Sequence, residues 1–382
     1  RTMPKATANM LSENQALSFD DFKKEVLADY KLAYESRQAS LLGRKEVLTG
    51  KAKFGIFGDG KEVAQLAMAK AFRAGDIRSG YYRDQTFMFA TGMSDIRKFF
   101  AQLYAHVSLE AEPASAGRLM NGHFASRFLD EAGQWKDLTA EPHSTSDISP
   151  TAGQMGRALG IAYASKLYRN NEALHHLKQF SKKGNEVSFV TIGNASTSEG
   201  HFWETVNAAG VLQVPLAINI WDDQYGISVP AKYQTTKENL SDILSGFVTN
   251  ENGKGYRLYT VKGWDYPALC ETYLTAIAEM RETHMPAIIH VTEITQPQGH
   301  STSGSHERYK SAERLQWEQT HDCLVKMREW MIAQGIADEA TVYALEQEAI
   351  QFVKSEQKAA YDAFRAEIEA EKAEALAALD AL

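Results

Sequence analysis

Along this chain of 382 residues, two kinds of apolar pattern alternate. The stretches 187–192 and 215–221, and Ala287–Thr292, are short, nearly continuous apolar runs, as expected of strands buried on both faces of a parallel sheet. Between and around them the period changes. Leu269, Tyr273, Ile277 and Met280 fall on one face of a helix opening after Asp265, and 153–169 combines small residues with a helical period. The alanine-rich segment between the first two runs reads as a helix, so 187–222 predicts a βαβ unit. Near the start, Ser18 with Asp21 offers a helix cap before Phe22, Val26 and Tyr30, whereas 1–16 is polar and expected to fray. Gly58, Gly60 and the Gly-Lys-Glu at 60–62 predict a turn leading into a helix over 63–72. Residues 107–148 read as a long excursion with little regular pattern, a length of loop that usually carries function.

From about residue 339 to the end there is no proline or glycine, and alanine, glutamate and lysine dominate. That predicts a helix of roughly 40 residues, about 60 Å long. It is expected to pack on a neighbouring subunit and, having no stop signal, to lead into a further domain after Leu382. The expected division is 1–335 as a ligand-binding domain and 336–382 as a helical extension or linker. The alternation as a whole predicts an α/β fold with a doubly wound, mainly parallel sheet.

Composition narrows the class. With 44% hydrophobic and 24% charged residues the chain can bury a large core, and its formal charge of −8 offers no broad basic field for nucleic acid. Cys270 and Cys323 each sit in a helical pattern, which indicates neither a disulfide framework nor a thiolate metal site and fits a reducing cytoplasm. No apolar segment approaches the roughly 18 residues of a membrane span, and the N-terminus, opening at Arg1, lacks the plan of a signal peptide.

The candidate chemistry sits where strands end. In a βαβ unit the carboxyl ends of both strands share one edge of the sheet, the usual ligand rim of open α/β sheets. Asn194 follows the first run and Asp223 the second, so an amide and a carboxylate meet at that rim. Such oxygen ligands suit Mg²⁺, which keeps coordination places for substrate phosphates. Consecutive strand residues face opposite ways, so Asp222 is not expected to ligate beside Asp223.

The segment Gly-Asn-Ala at 193–195, Thr-Ser-Glu-Gly at 197–200 and Asp-Asp-Gln-Tyr-Gly-Ile-Ser at 222–228 resembles a family motif running from Gly-Asp-Gly to Asn-Asn-x-Tyr. That motif binds thiamine diphosphate in the alpha subunit of the first component of 2-oxo acid dehydrogenase complexes. Further matches follow in the family's order from about Phe54 to Trp330: YYRDQ at 81–85, GRLMNGH at 117–123, SPTAGQ at 149–154, VKGWD at 261–265 and GHSTSGSHERYKS at 299–311. The resemblance is strongest to the branched-chain (2-oxoisovalerate) type, chiefly through Ser-Thr-Ser after His300. The pyruvate type is the alternative.

The resemblance implies the thiamine diphosphate-binding fold and a set of roles. Asn194, Asp223 and the carbonyl of Tyr225 would hold Mg²⁺, the family's acidic residue and asparagine having exchanged places so that the charge is kept. Tyr82 and Arg83 would meet the diphosphate, since a planar guanidinium suits phosphate oxygens. Ala195 and Ser196 would line it. Ser149 and Thr151, in the turn around Pro150, would hold the aminopyrimidine ring, and Gln154 stands where the family can bind K⁺. His300 would be the catalytic histidine, stabilising charge on the substrate oxygen, with His123 a second candidate at the site entrance. Ser301 and Ser311 occupy positions that some members phosphorylate.

The implied activity is oxidative decarboxylation of a 2-oxo acid and reductive acylation of a lipoyl acyltransferase. A beta subunit, separate or fused, would complete the site in a dimer of alpha–beta pairs. Two departures stand out: Trp221 stands where the family often has arginine or glutamate and Gln296 where it often has arginine, which predicts less positive charge near the diphosphate. A metal-free, non-catalytic scaffold is the competing reading. A nicotinamide-dependent dehydrogenase is disfavoured because no G-x-G-x-x-G turn follows a strand.

Overall fold

The computed structural model describes residues 18–251, 253–302 and 304–381, so the expectation for 1–16 lies outside the described residues. Among the described residues eight strands occur in chain order: β1 (Ile77–Ser79), β2 (His143–Ser144), β3 (Ser188–Gly193), β4 (Leu216–Trp221), β5 (Tyr225–Gly226), β6 (Val229–Pro230), β7 (Arg257–Lys262) and β8 (Ala287–Thr292). Six of them form one all-parallel sheet in the order β2-β1-β3-β4-β8-β7, while β5 and β6 make a small hairpin. The three strands predicted from continuous apolar runs, β3, β4 and β8, lie side by side at the centre and are buried nearly throughout.

Alternate residues of these strands feed two cores, as the pleat requires. Phe189, Ala217, Ile289 and Val291 pack with helices Phe19–Leu48, Glu62–Ala71, Tyr266–Thr283 and Cys323–Ala333. Val190, Ile192, Ile218, Ile220 and Ile288 pack with Gln154–Asn170 and Gly200–Leu212. Helices on both faces make the sheet doubly wound.

Helix starts follow their caps. Ser18 accepts from the Asp21 amide at 3.1 Å, and Asp265 from the Ala268 amide at 3.1 Å; each such cap stabilises its helix by about 1 kcal/mol. The excursion over 107–148 is held by Glu112, only 2% exposed, whose carboxylate accepts from the backbone of Ala114, Ser115 and Gly117.

The C-terminal helix, Glu339–Asp380, differs from its expected place on another subunit. Val342, Ala349, Val353 and Ala360 bury one stripe of it against this same chain, and Tyr30 donates to Glu346 at 2.7 Å. Val353 and Ala360 join Phe57, Phe99, Phe100 and Tyr104 in a third core. Packing is therefore continuous across the expected boundary at 335/336, and from Arg365 onward the described helix residues are exposed.

The chain leaves β1 for β2 on one side and returns to β3 on the other. Loops diverging there open a crevice at the carboxyl edge, the topological switch point where ligands of such sheets bind. The register puts Gly193 opposite Trp221 and Trp221 opposite Val291, so β3, β4 and β8 all deliver their following residues to this crevice.

Candidate functional site

The crevice holds a cavity of about 310 Å3 whose walls come from the loops after β1, β2, β3, β4 and β8 and from the turn before the helix Glu62–Ala71. Tyr82, Arg83, Thr151, Asn194, Ala195, Ser196, Asp223, Tyr225 and His300 all line it. Ser149 does not: its exposed hydroxyl lies 3.0 Å from Nε2 of His123, a buried histidine whose ring sits 6.0 Å from that of Tyr82. His123 thus supports the Ser149 turn and the Tyr82 ring from behind. Gln154, also buried, donates its amide to the Thr191 carbonyl at 2.8 Å. Ser311 caps the helix Ala312–Thr320.

The oxygen wall is built by tight turns. Asp223 Oδ1 accepts from the Tyr225 amide at 3.1 Å, and Gln224 between them adopts φ of 66°, a left-handed conformation. Arg314 clamps this turn from the helix Ala312–Thr320, donating to the Asp223 carbonyl at 3.0 Å and to Gln224 Oε1 at 2.9 Å. Asp222 turns the other way: its carboxylate lies 2.9 Å from His290 Nε2 and accepts from the Gln224 amide at 2.8 Å. Asn194 is 4% exposed, and its side-chain amide makes no hydrogen bond among the described residues. Among those residues no trio of His, Cys, Asp or Glu is placed to hold a metal. An ion here would take amide and main-chain oxygens beside the Asp223 carboxylate, a hard-oxygen set that fits Mg²⁺.

The opposite wall is cationic. Arg83 donates to the Phe57 carbonyl at 2.6 Å and to the His300 carbonyl at 2.8 Å, so backbone rather than a carboxylate holds its guanidinium. Lys310 pairs with Glu318 at 2.8 Å. Lys61, which sequence reasoning placed only in a turn, is the residue that was missed. It lines the cavity at 2% exposure and donates to Gln296 Oε1 at 2.6 Å, with Asp223 Oδ2 at 3.9 Å. The loss of charge expected from Gln296 is therefore offset by a lysine from a different loop. Trp221, at the other departure, donates to Asp84 at 3.2 Å and serves the scaffold.

Two glycines make that placement possible. A Cβ on Gly58 would meet the Arg83 carbonyl oxygen at 2.1 Å, and one on Gly60, whose φ is 87°, would meet the Thr295 carbonyl oxygen at 2.0 Å. Only a bare backbone lets residues 58–61 seat between the Arg83 loop and the segment leading to His300.

Electrostatics follow from burial. Burial pushes the Lys61 ammonium down to about 8, opposed mainly by Asp223. Burial, with help from Arg83, pushes His300 down to about 4. At neutral pH His300 is consequently a neutral imidazole, able to donate a hydrogen bond.

A doubly wound α/β protein with a switch-point cavity, one wall of hard oxygens and one of cations, is the class that this fold and site define. The dehydrogenase E1 component family matches residues 35–369, and the chain belongs to it. Among its relatives, the 2-oxoisovalerate dehydrogenase subunit alpha of Bacillus subtilis is 28% identical over 75% of this chain and 76% of its own length. The mitochondrial 2-oxoisovalerate dehydrogenase subunit alpha of Homo sapiens is 25% identical over 76% of this chain. The chain spans about half the length of that relative, 56%.

Proposed function

We propose that this protein is the alpha subunit of a branched-chain 2-oxo acid dehydrogenase, an oxidoreductase that works with a beta subunit and a lipoyl acyltransferase. The observation that carries the reading is the pairing, across one cavity, of an oxygen wall at Asn194, Asp223 and Tyr225 with a cationic wall containing Arg83. A metal diphosphate needs both. Family membership and the names of the relatives support the substrate class. The separation of 1–335 and 336–382 is retained only as a division of roles, since packing runs across it.

Thiamine diphosphate, when bound, supplies the electron sink for loss of carbon dioxide from a 2-oxo acid. Asn194, Asp223 and the Tyr225 carbonyl would hold its Mg²⁺, Tyr82 and Arg83 its phosphates, with Ala195 and Ser196 alongside and the turn of Ser149 and Thr151 nearer its ring. A K⁺ ion beside that turn belongs to the same reading. His300, resting neutral, donates a hydrogen bond to the substrate oxygen as negative charge grows there. No helix among the described residues is long and apolar enough to cross a membrane, and Cys270 and Cys323 are free thiols, which supports a cytoplasmic setting.

The test is an assay of decarboxylation with the chain assembled with its beta partner. Branched 2-oxo acids should turn over with a higher kcat/KM than pyruvate. Preference for pyruvate would reassign the substrate, and no thiamine diphosphate uptake with either would favour the non-catalytic scaffold.

A further inference from the structure

Lys61 is at odds with its surroundings unless something anionic joins it. Its ammonium is buried, yet its nearest neighbours are a neutral amide oxygen at 2.6 Å and a carboxylate oxygen at 3.9 Å, beyond hydrogen-bond reach. A buried cation without a close counter-charge is costly. It also sits at the N-cap of the helix Glu62–Ala71, where the helix dipole repels positive charge. Beside it, Nε2 of Gln296 is a buried donor with no partner, and Gln296 lines the same cavity. On the same wall the Arg83 guanidinium is anchored by two carbonyls and by no carboxylate among the described residues. Lysine ammonium and guanidinium both line one space, with an unpartnered amide N–H beside them, and all three ask for the same thing.

We propose that Lys61 is a phosphate-binding residue whose ammonium, together with Nε2 of Gln296 and Arg83, takes the oxygens of the diphosphate that the cavity receives. This rests on the functional reading above and adds to it a residue from the Gly58–Lys61 turn. Gln296 accepts from Lys61 and so aims the ammonium, while its own free N–H faces the anion. The loose contact with Asp223 then lets one lysine lie between the carboxylate that would hold the metal and the phosphates that would share it. The bland alternative is that Lys61 only offsets Asp223 and touches no ligand.

The experiment is calorimetric titration of the assembled enzyme with thiamine diphosphate, with thiamine and with inorganic pyrophosphate, each at saturating Mg²⁺. Lys61→Met should weaken thiamine diphosphate and pyrophosphate by about 10- to 100-fold and leave thiamine unchanged, the loss of one charge-assisted hydrogen bond. Because Gln296 lies against the ammonium, adding Gln296→Arg to Lys61→Met should restore most of the affinity, which repair of a merely structural role would not do. Diphosphate affinity within about twofold of wild type in Lys61→Met, or no recovery in the double variant, overturns the proposal. Failure of wild-type protein to bind thiamine diphosphate while it binds pyrophosphate in a Lys61-dependent way would sink the cofactor and keep the anion site. Should Lys61→Met fail to fold, a crystal structure of the wild-type assembly soaked with thiamine diphosphate decides. The ammonium within about 3 Å of a phosphate oxygen supports the proposal, and an ammonium turned away from the phosphates overturns it.

Discussion

Arg78 and Lys61 are both fully buried cations near the carboxyl edge of one sheet, and they are treated in opposite ways. Arg78 is closed: its guanidinium donates to Asp84 at 2.9 Å, to Asp147 at 3.0 and 3.1 Å, to Ser144 at 2.8 Å and to the Tyr81 carbonyl at 3.0 Å. Lys61 is open, held by one amide oxygen and facing a cavity. The first arrangement ties the YYRDQ loop to the loop that leads into Ser149, and so fixes the frame of the site. The second leaves charge unspent within that frame. Where the chain has closed a buried charge it is building the fold, and where it has left one open it is waiting for a ligand.

Breaking the closed side should give the largest effect. Arg78→Met strands two buried carboxylates, and loss of one partner of such a cluster costs about 3–5 kcal/mol. Chemical denaturation of the variant should show that loss, together with displaced Tyr81 and Tyr82. A change below about 1 kcal/mol would mean that water already reaches the cluster and that the contrast with Lys61 is one of degree.

A narrower contrast lies between two adjacent carboxylates. Asp223→Ala should abolish Mg²⁺-dependent uptake of thiamine diphosphate with little change in stability, because Asp223 faces the cavity. Asp222→Ala should leave uptake nearly intact and lower stability by about 1–3 kcal/mol, because buried His290 loses its acceptor. Calorimetry and denaturation of the two variants separate the effects. The reverse ranking would exchange the two roles.

Much of this frame was legible in the sequence because the signals are local. β3, β4 and β8 are continuous apolar runs, and the alternation of strand side chains sends Asp222 and Asp223 in different directions without any structure. Lys61 was illegible because its meaning is non-local: the fold brings residue 61 against residue 296, and no periodicity encodes that meeting. One clue was available, a lysine at a helix start, where acidic or small polar residues are favoured. The C-terminal helix was read from its composition, which is that of a solvated helix. Its buried stripe, Val342, Ala349, Val353 and Ala360, follows coiled-coil spacings but is small and half alanine, so the polar majority masked it.

The smallest expected effect sharpens the comparison with protons. His284 and His300 are both pushed down to about 4 by burial, but His284 is closed, bonded to the Gly184 carbonyl at 2.7 Å, while His300 lines the open cavity. The unfolded chain protonates both near 6.5, so between about 6.5 and 4 it binds more protons than the folded chain. Stability therefore rises with pH across that window, and the contribution of the neutral imidazoles is lost as pH falls through it. Replacing either residue with glutamine should flatten the slope of unfolding free energy against pH over that range. An anion in the cavity should distinguish them: inorganic pyrophosphate favours the imidazolium at His300 and should flatten that residue's share of the slope, leaving the share of His284 untouched. If pyrophosphate left the slope of wild type and of His284→Gln unchanged, the cavity would not be receiving the anion, and the open side of the comparison would lose its meaning.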